Sequence, residues 1–262
     1  MTTDFYDLRV CVLASGSSGN CIYVESPTTA ILLDAGLSAR QTLLRLNKAG
    51  LDPDKLRAIC ISHEHSDHST GVARLHKKYG WELYANSDTA RAVDRAGLLS
   101  WNLFRSGSPF AIGDIDILPF SLPHDAYDPV GFVLRRGNAR IGVATDLGIP
   151  TQLARQQLRG CQLVILEANH DEMLLQSSPR PWALKQRIRS HQGHLSNMAA
   201  AEMLVDIAGD TLQKVFLAHL SRECNDLGLA LRTVRRHLAE AGLDHIHVLP
   251  THPDRHSEFA HC

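Results

Sequence analysis

Residues 62–68 read Ser-His-Glu-His-Ser-Asp-His, directly after Leu56-Arg57-Ala58-Ile59-Cys60-Ile61, a short and mostly apolar run. No other stretch restricts the fold as much. His63, His65, Asp67 and His68 put four strong metal ligands into six positions. Imidazole nitrogen and carboxylate oxygen are what borderline divalent ions such as Zn²⁺ take. Burying so many ionisable groups together is costly unless a cation or ion pairs satisfy them. A solvated His-rich loop is the alternative, but the run ahead of the cluster reads as a buried strand. The ligands therefore stand where a strand ends, at a fixed mouth.

One cluster supplies too few ligands, and the further candidates share a single pattern: an apolar run closed by one ionisable residue. Asp34 ends Ala30–Leu33, His124 follows Ile117–Pro123, Asp146 ends Ile141–Thr145 and His219 ends Val215–Ala218. Each alone reads as a cap or a turn residue; four of them beside the cluster point to a shared mouth. Leu8–Ser15, Cys21–Ser26 and Thr29–Ala35 read as strands. The turn Ser15–Asn20 reads as a hairpin loop, with a phosphate-holding loop as the alternative. Periodicity predicts helices over Ala39–Ala49, Gly71–Tyr79, Ser87–Ala96, Asn197–Ile207 and Leu227–Ala241. Strands are expected at Trp81–Ala85, Ile115–Leu122, Val130–Arg135, Arg140–Thr145, Cys161–Ala168, Val215–His219 and His245–Leu249. Strands early in each half, then strand–helix alternation, predict an α+β class: two mixed sheets packed together with helices outside. A length of 262 residues suits one domain over 1–262.

Composition narrows the functional classes. The chain carries 27 Lys and Arg against 28 Asp and Glu, so any nucleic-acid contact must come from a local patch. Its six cysteines form no CxxC pair. Cys11, Cys60 and Cys161 lie in apolar runs, which suits small buried hydrophobes, a reducing cytosol and cytoplasmic localisation. Met1–Asp7 lacks the basic start and long apolar stretch of a signal peptide, and no run reaches membrane-spanning length. No membrane partner is expected; the oligomeric state stays open.

His63-x-His65-x-Asp67-His68, followed by His124, Asp146 and His219 in that order, resembles the metallo-β-lactamase fold over nearly the whole chain, with Asp34 matching the first, non-ligand Asp of that family. The motif is specific for the superfamily but not for its chemistry. Glu167-Ala168, Gly193-His194-Leu195-Ser196 and Leu217-Ala218-His219-Leu220-Ser221 resemble the tRNA-processing nuclease RNase Z, although Leu195 interrupts the Gly-His-Ser-Thr segment found there. A closer resemblance is to the bacterial YycJ-type (WalJ-type) proteins. It rests on Ala14–Cys21, His124-Asp125-Ala126, Glu167–Asp171, Gly193–Asn197 and His219–Asn225. That family is associated with metal-dependent exonuclease activity on DNA. The length leaves no room for the large insert of the related β-CASP nucleases.

The resemblance implies two divalent ions, Zn²⁺ or Mn²⁺ with Fe²⁺ as a further option, holding a bridging hydroxide. It implies His63, His65 and His124 on one metal, Asp67, His68 and His219 on the other, and Asp146 between them. Asp34 would orient ligating histidines. Asp67 would steer the hydroxide as well as bind metal. His194 would stabilise developing charge on phosphorus or protonate the leaving oxygen; a surface His at a helix start is the alternative. His170 could face the cleft. Arg180, Lys185, Arg187 and Arg189, with Trp182 among them, form a basic stretch leading into Gly193-His194, and Ser221, Arg222 and Asn225 follow His219. These are the candidate phosphate contacts.

The expected function is a phosphodiesterase acting on nucleic acid, a DNA exonuclease of 5′ to 3′ polarity, the polarity coming from the resemblance alone. The alternatives are a hydrolase of a thioester, lactone, β-lactam or cyclic phosphodiester on the same site, and a non-catalytic metal-binding regulatory protein.

Overall fold

A computed structural model describes residues 7–262; residues 1–6, read above for targeting, lie outside the described residues. Strands β1 (Arg9–Ala14), β2 (Cys21–Glu25), β3 (Ala30–Leu33), β4 (Leu56–Cys60), β5 (Glu82–Ala85) and β6 (Trp101–Leu103) pair in sequence order. They form the first sheet. The second contains β7 (Phe110–Ile112), β8 (Ile115–Ser121), β9 (Val130–Arg136), β10 (Ala139–Ala144), β11 (Leu163–Glu167), β12 (Lys214–Ala218) and β13 (His247–Pro250), also in order. The last strand, β14 (Ala260–His261), returns to pair with β1, so both sheets have seven strands among the described residues. Each sheet is mixed in the same way. Pairing is antiparallel through β14-β1-β2-β3 and parallel from β3 to β6; it is antiparallel through β7-β8-β9-β10 and parallel from β10 to β13.

Side-chain alternation builds two kinds of core from each strand. Val10 and Val12 of β1 meet Ile141 and Val143 of β10 between the sheets, while Cys11 and Leu13 turn outward. Phe216 faces the inter-sheet core, and Val215 and Leu217 face the helices behind. Strands buried on both faces read as continuous apolar runs, which is why the sequence exposes them. Truncating Phe132 or Phe216 in the inter-sheet core to Ala costs about 3–5 kcal/mol.

Helices α1 (Ala39–Lys48), α2 (Ser66–Ser69), α3 (Val72–Tyr79) and α4 (Ser87–Val93) belong to the first half. Helices α5 (Gln152–Leu158), α6 (Glu172–Ser177), α7 (Trp182–Arg189), α8 (Asn197–Ile207) and α9 (Leu227–Glu240) belong to the second. Ala200, Ala201, Met203, Leu204 and Ile207 of α8 pack with Ala230, Val234 and Leu238 of α9 in the outer core of the second sheet. The α+β sandwich expected from the sequence is the observed architecture. The edge strands β6, β7 and β14 and the helices α2, α5, α6 and α7 were not singled out. Two or three residues carry too little alternation to declare a strand, and short edge strands are a common protection against edge pairing. No helix among the described residues is long and apolar enough to cross a membrane.

Candidate metal centre

The site forms where strands of both sheets end side by side. Asp34 follows β3, Ser62 and His63 follow β4, Asp146 follows β10, and His219 follows β12. The polypeptide must leave each strand sharply to present these groups. Asp34, Asp146 and His219 are the positive-φ non-glycine residues among those described, at 60°, 60° and 54°. Left-handed backbone costs an L-residue roughly 1–2 kcal/mol. It persists where surrounding contacts over-determine it, a hallmark of functional positions. At His219 those contacts are the Ser15 hydroxyl, which accepts from its amide at 2.7 Å, and the Asn169 amide, which donates to its carbonyl at 2.8 Å.

Four histidines turn Nδ1 to a fixed partner. His68 Nδ1 donates to Asp34 Oδ2 at 2.7 Å. Ser62 Oγ donates to the same oxygen at 2.9 Å and so offers its lone pair to His63 Nδ1 at 3.0 Å. His124 Nδ1 donates to the Gly193 carbonyl at 3.1 Å, and His219 Nδ1 to Glu167 Oε1 at 2.8 Å. This leaves Nε2 of each ring facing the mouth, the arrangement that outer hydrogen bonds impose on metal-binding histidines. His63 Nε2 is buried with no hydrogen-bond partner. Asp146 Oδ2 is buried without one too; it lies 3.1 Å from His68 Nε2, but not in hydrogen-bond geometry. Orphaned buried polar atoms need a partner, and a cation would supply it.

The groups that could hold one match the donor chemistry. His63, His65 and His124 offer atoms within 4.8 Å of one another, as do Asp67, His68 and His219, and His63, His68 and Asp146. Asp146 Oδ1 is also 3.8 Å from His124 Nε2 and 3.5 Å from His219 Nδ1, so this carboxylate stands between the two triads. A fourth group, Asp146, Glu167, His194 and His219, is equally close. There His194 and His219 approach through Nδ1 atoms already hydrogen-bonded to Glu167, so it works as a hydrogen-bond network.

Electrostatics follow from this packing. Burial first, then the neighbouring His68, pushes His63 well below the usual imidazole range, toward the neutral form that binds metal. Burial opposes the charged forms of Asp146, His68 and His219 as well, but their mutual attraction wins. Asp146 is held well below the usual carboxylate range by His219 and His68, and both histidines are raised by Asp146.

Glu167 organises the second sheet's side of the mouth. It is fully buried at the end of β11. Its Oε1 accepts from both His194 Nδ1 and His219 Nδ1 at 2.8 Å, and Oε2 accepts from the Leu147 and Leu195 amides at 3.0 and 3.1 Å. Burial would raise this carboxyl; the paired imidazoles of His194 and His219 hold it down. In the sequence Glu167 stands out only within a family pattern, although it is one more ionisable residue closing an apolar strand. Ser62, Asn20 and Ser15 were also missed. Asn20 Oδ1 accepts from the Gly16 amide at 2.8 Å, which fixes its Nδ2 at 3.0 Å from His68 Nε2. The Ser15–Asn20 turn, read as a hairpin loop, is thus a wall of the site. Gly36 lets the next turn close on it: a Cβ there would lie 1.6 Å from the Asp67 carbonyl oxygen, which accepts from the Asn20 amide at 2.7 Å.

The candidate substrate residues divide. His194 joins the mouth, its ring 5.1 Å from that of His124 and 5.2 Å from that of His219. It lies ahead of α8, whose N-cap is Ser196, rather than at a surface helix start. Arg180, Arg187 and Ser221 line a cavity of 110 Å³ with His194, Ser17, Asp125 and Asn169. Arg187 pairs with Asp125, and Arg180 Nε donates to Glu223 at 2.9 Å. The others do not reach it. Lys185 donates to the Gln176 carbonyl and Arg189 to the Gln176 side chain, both on α6, because α7 turns that face away. Arg222 donates to Ser18 on the outer rim. Asn225 spends its amide on the Ala168 and Asn169 carbonyls and on Asn197, which makes it a brace. His170, which could have faced the cleft, is 1 % exposed and is not among the residues lining the cavity.

A family model described as a beta-lactamase superfamily domain matches residues 29–219. The chain belongs to this superfamily, as the strand-end His and Asp cradle between two sheets already indicates. Within it, the chain is 38 % identical over 241 residues to exodeoxyribonuclease WalJ of Streptococcus pneumoniae serotype 2 (strain D39), covering 90 % of each. It is 34 % identical over 239 residues to exodeoxyribonuclease YycJ of Bacillus anthracis, again 90 % of each. The metallo-beta-lactamase fold protein YhfI from Bacillus subtilis superposes with a TM-score of 0.75 at 15 % identity, over 98 % of this chain and all of that one, a likeness of fold.

Proposed function

We propose that this chain is a metal-dependent DNA exonuclease of 5′ to 3′ polarity, acting in the cytoplasm with two divalent ions, Zn²⁺ or Mn²⁺, with Fe²⁺ as the further option. The observation that carries the reading is the 38 % identity to a curated exodeoxyribonuclease across 90 % of both chains. The polarity rests on family resemblance. His63, His65 and His124 would hold one ion, Asp67, His68 and His219 the other, and Asp146 both. When bound, such a pair activates water at neutral pH and neutralises charge building on the phosphate.

The chain's own residues do the rest. The Nδ1 partners Ser62, Asp34, Gly193 and Glu167 hold each ring in orientation, so no reorganisation is needed when substrate arrives. Asp34 acts from behind His68, as a positioning residue. Asp67, with Oδ2 3.5 Å from His219 Nε2, orients the attacking water from the side of the second triad. His194, fixed at Nδ1 by Glu167, presents Nε2 to the leaving oxygen and donates a proton there. Arg180, Arg187 and Ser221 offer the adjoining cavity to a phosphate, with the guanidinium groups exchanging Glu223 and Asp125 for phosphate oxygens.

The test is digestion of DNA labelled at either the 5′ or the 3′ end, in Mn²⁺ or Zn²⁺, by the wild type and by His65→Ala. Mononucleotide release from the 5′ end by the wild type alone is expected. Equal activity in both proteins, or none in either while a thioester is cleaved, would contradict the reading.

A further inference from the structure

Beyond Asp125 the same loop carries a feature that the metal site leaves unused. Tyr127 is 72 % exposed, a large aromatic ring standing in solvent three residues past His124. Its loop is nevertheless held by four hydrogen bonds. The Asp125 amide donates to the Gln192 carbonyl at 3.1 Å, and the Tyr127 amide donates to Glu64 Oε1 at 3.1 Å. The Asp128 carbonyl accepts from Asn86 Nδ2 at 2.7 Å, and the Asp128 carboxylate from Ser106 at 2.8 Å. An exposed aromatic ring costs hydration free energy, and here a rigid loop holds it out. Asn86 is also the N-cap of α4, so the bond that fixes the loop fixes this helix beside it.

Arg91 and Arg95, on α4 and just beyond it, form with Asp88, Ala92 and Tyr127 the walls of an open cavity of 400 Å³. Arg91 pairs with Asp88 at 3.5 Å, but both are well exposed, and such pairs are worth little and exchange readily. The chain links this cavity to the metal site through Asp125 and Tyr127, two positions apart. Asp125 lines the 110 Å³ cavity beside His194 and Tyr127 lines this one. Two residues of backbone separate their Cα atoms by at most about 7 Å.

We infer that Tyr127, Arg91 and Arg95 form a stacking shelf for single-stranded DNA: one base lies on the Tyr127 ring while the arginines hold the flanking phosphates. The inference rests on the nuclease reading above and deepens it by naming where the strand runs next to the metal centre. A flat ring with two guanidinium groups suits a polyanion whose every unit has a π-face. Asp88 lines the same cavity, and Glu64 accepts from the Tyr127 amide beside it; these two acids favour contact through base and arginine over a general basic field.

The test is steady-state hydrolysis of a single-stranded oligonucleotide by the wild-type chain and by Tyr127→Ala, Tyr127→Phe and the double variant Arg91→Gln/Arg95→Gln. Tyr127→Ala should raise KM roughly 10-fold, the loss falling on KM rather than kcat, and Tyr127→Phe should stay close to the wild type because the ring is kept. The double arginine variant should flatten the dependence of log KM on log salt by about 1.4, two single-strand phosphate contacts being lost. A KM unchanged in Tyr127→Ala, or raised equally in Tyr127→Phe, overturns the shelf while leaving the nuclease reading intact. A wild type that hydrolyses no DNA overturns both.

Discussion

At the strand ends, four buried imidazoles have their inward nitrogens each tied to a partner inside the protein: Ser62 for His63, Asp34 for His68, Gly193 for His124 and Glu167 for His219. Along the arm from Arg180 to Arg189, the charged groups rest instead on surface acids and carbonyls: Glu223, Asp125 and the atoms of Gln176. The first region is preorganised and buried, so its energetics depend on geometry set during folding. The second is exposed and exchangeable, so its ion pairs can be traded for a ligand's charge at little cost. A hydrolase of polyanions needs both: a centre that does not move and a rim that can let go of the product.

Variants break or sharpen this contrast. Asp146→Asn should have the largest effect, because one carboxylate stands between both triads. Nuclease activity should fall to background, and metal analysis of the purified protein should find fewer bound ions than in the wild type. Glu167→Gln keeps the shape but replaces an oxygen shared by two imidazoles with an uncharged amide. It should cost about 10- to 100-fold in metal affinity or activity, read by metal titration and by kcat. A wild-type result would mean that ring orientation at the centre is not set from behind.

Chelation comes next in size. An excess of tight chelator should lower the thermal unfolding midpoint, and restoring Mn²⁺ or Zn²⁺ should recover it. Saturation at 100 times Kd contributes about 2.7 kcal/mol. On the arm, Arg187→Ala should raise KM a few-fold and reduce the salt slope by about 1. Lys185→Ala and Arg189→Ala, which turn to α6, should stay within about twofold of the wild type in KM. If Lys185→Ala weakens binding as much as Arg187→Ala, the arm works as a diffuse basic field and the division drawn here fails.

The sequence declared the centre because metal-binding chemistry is dense and positional. An apolar run of strand length ending in His or Asp can be seen without a fold, and Asp34, His63, His124, Asp146 and His219 were found that way. Glu167 shares that signature but was absorbed into a pattern of resemblance, and Ser62 and Asn20 carry none, since Ser and Asn are common at any turn. The arm was legible only as charge. Arg180, Lys185, Arg187 and Arg189 are equivalent in sequence; Arg180 stands ahead of α7 and lines the cavity, and on α7 itself the direction of the helix separates Arg187, which lines it, from Lys185 and Arg189, which do not. His170, which could have faced the cleft, is buried for a related reason: it stands three residues past the end of β11, where the turn of the backbone decides between cleft and interior. Tyr127 gave no sequence signal, because exposure of a single aromatic depends on how its loop is pinned.

The central claim is that the Nε2 faces of these histidines gather two divalent ions around Asp146. A crystal structure of the Mn²⁺- or Zn²⁺-loaded protein with anomalous data tests it directly. The account predicts two peaks flanking Asp146, one beside His63, His65 and His124 and one beside Asp67, His68 and His219, with each Nδ1 bond still in place. A single ion among Asp146, Glu167, His194 and His219, bound through the Nδ1 atoms, would contradict it.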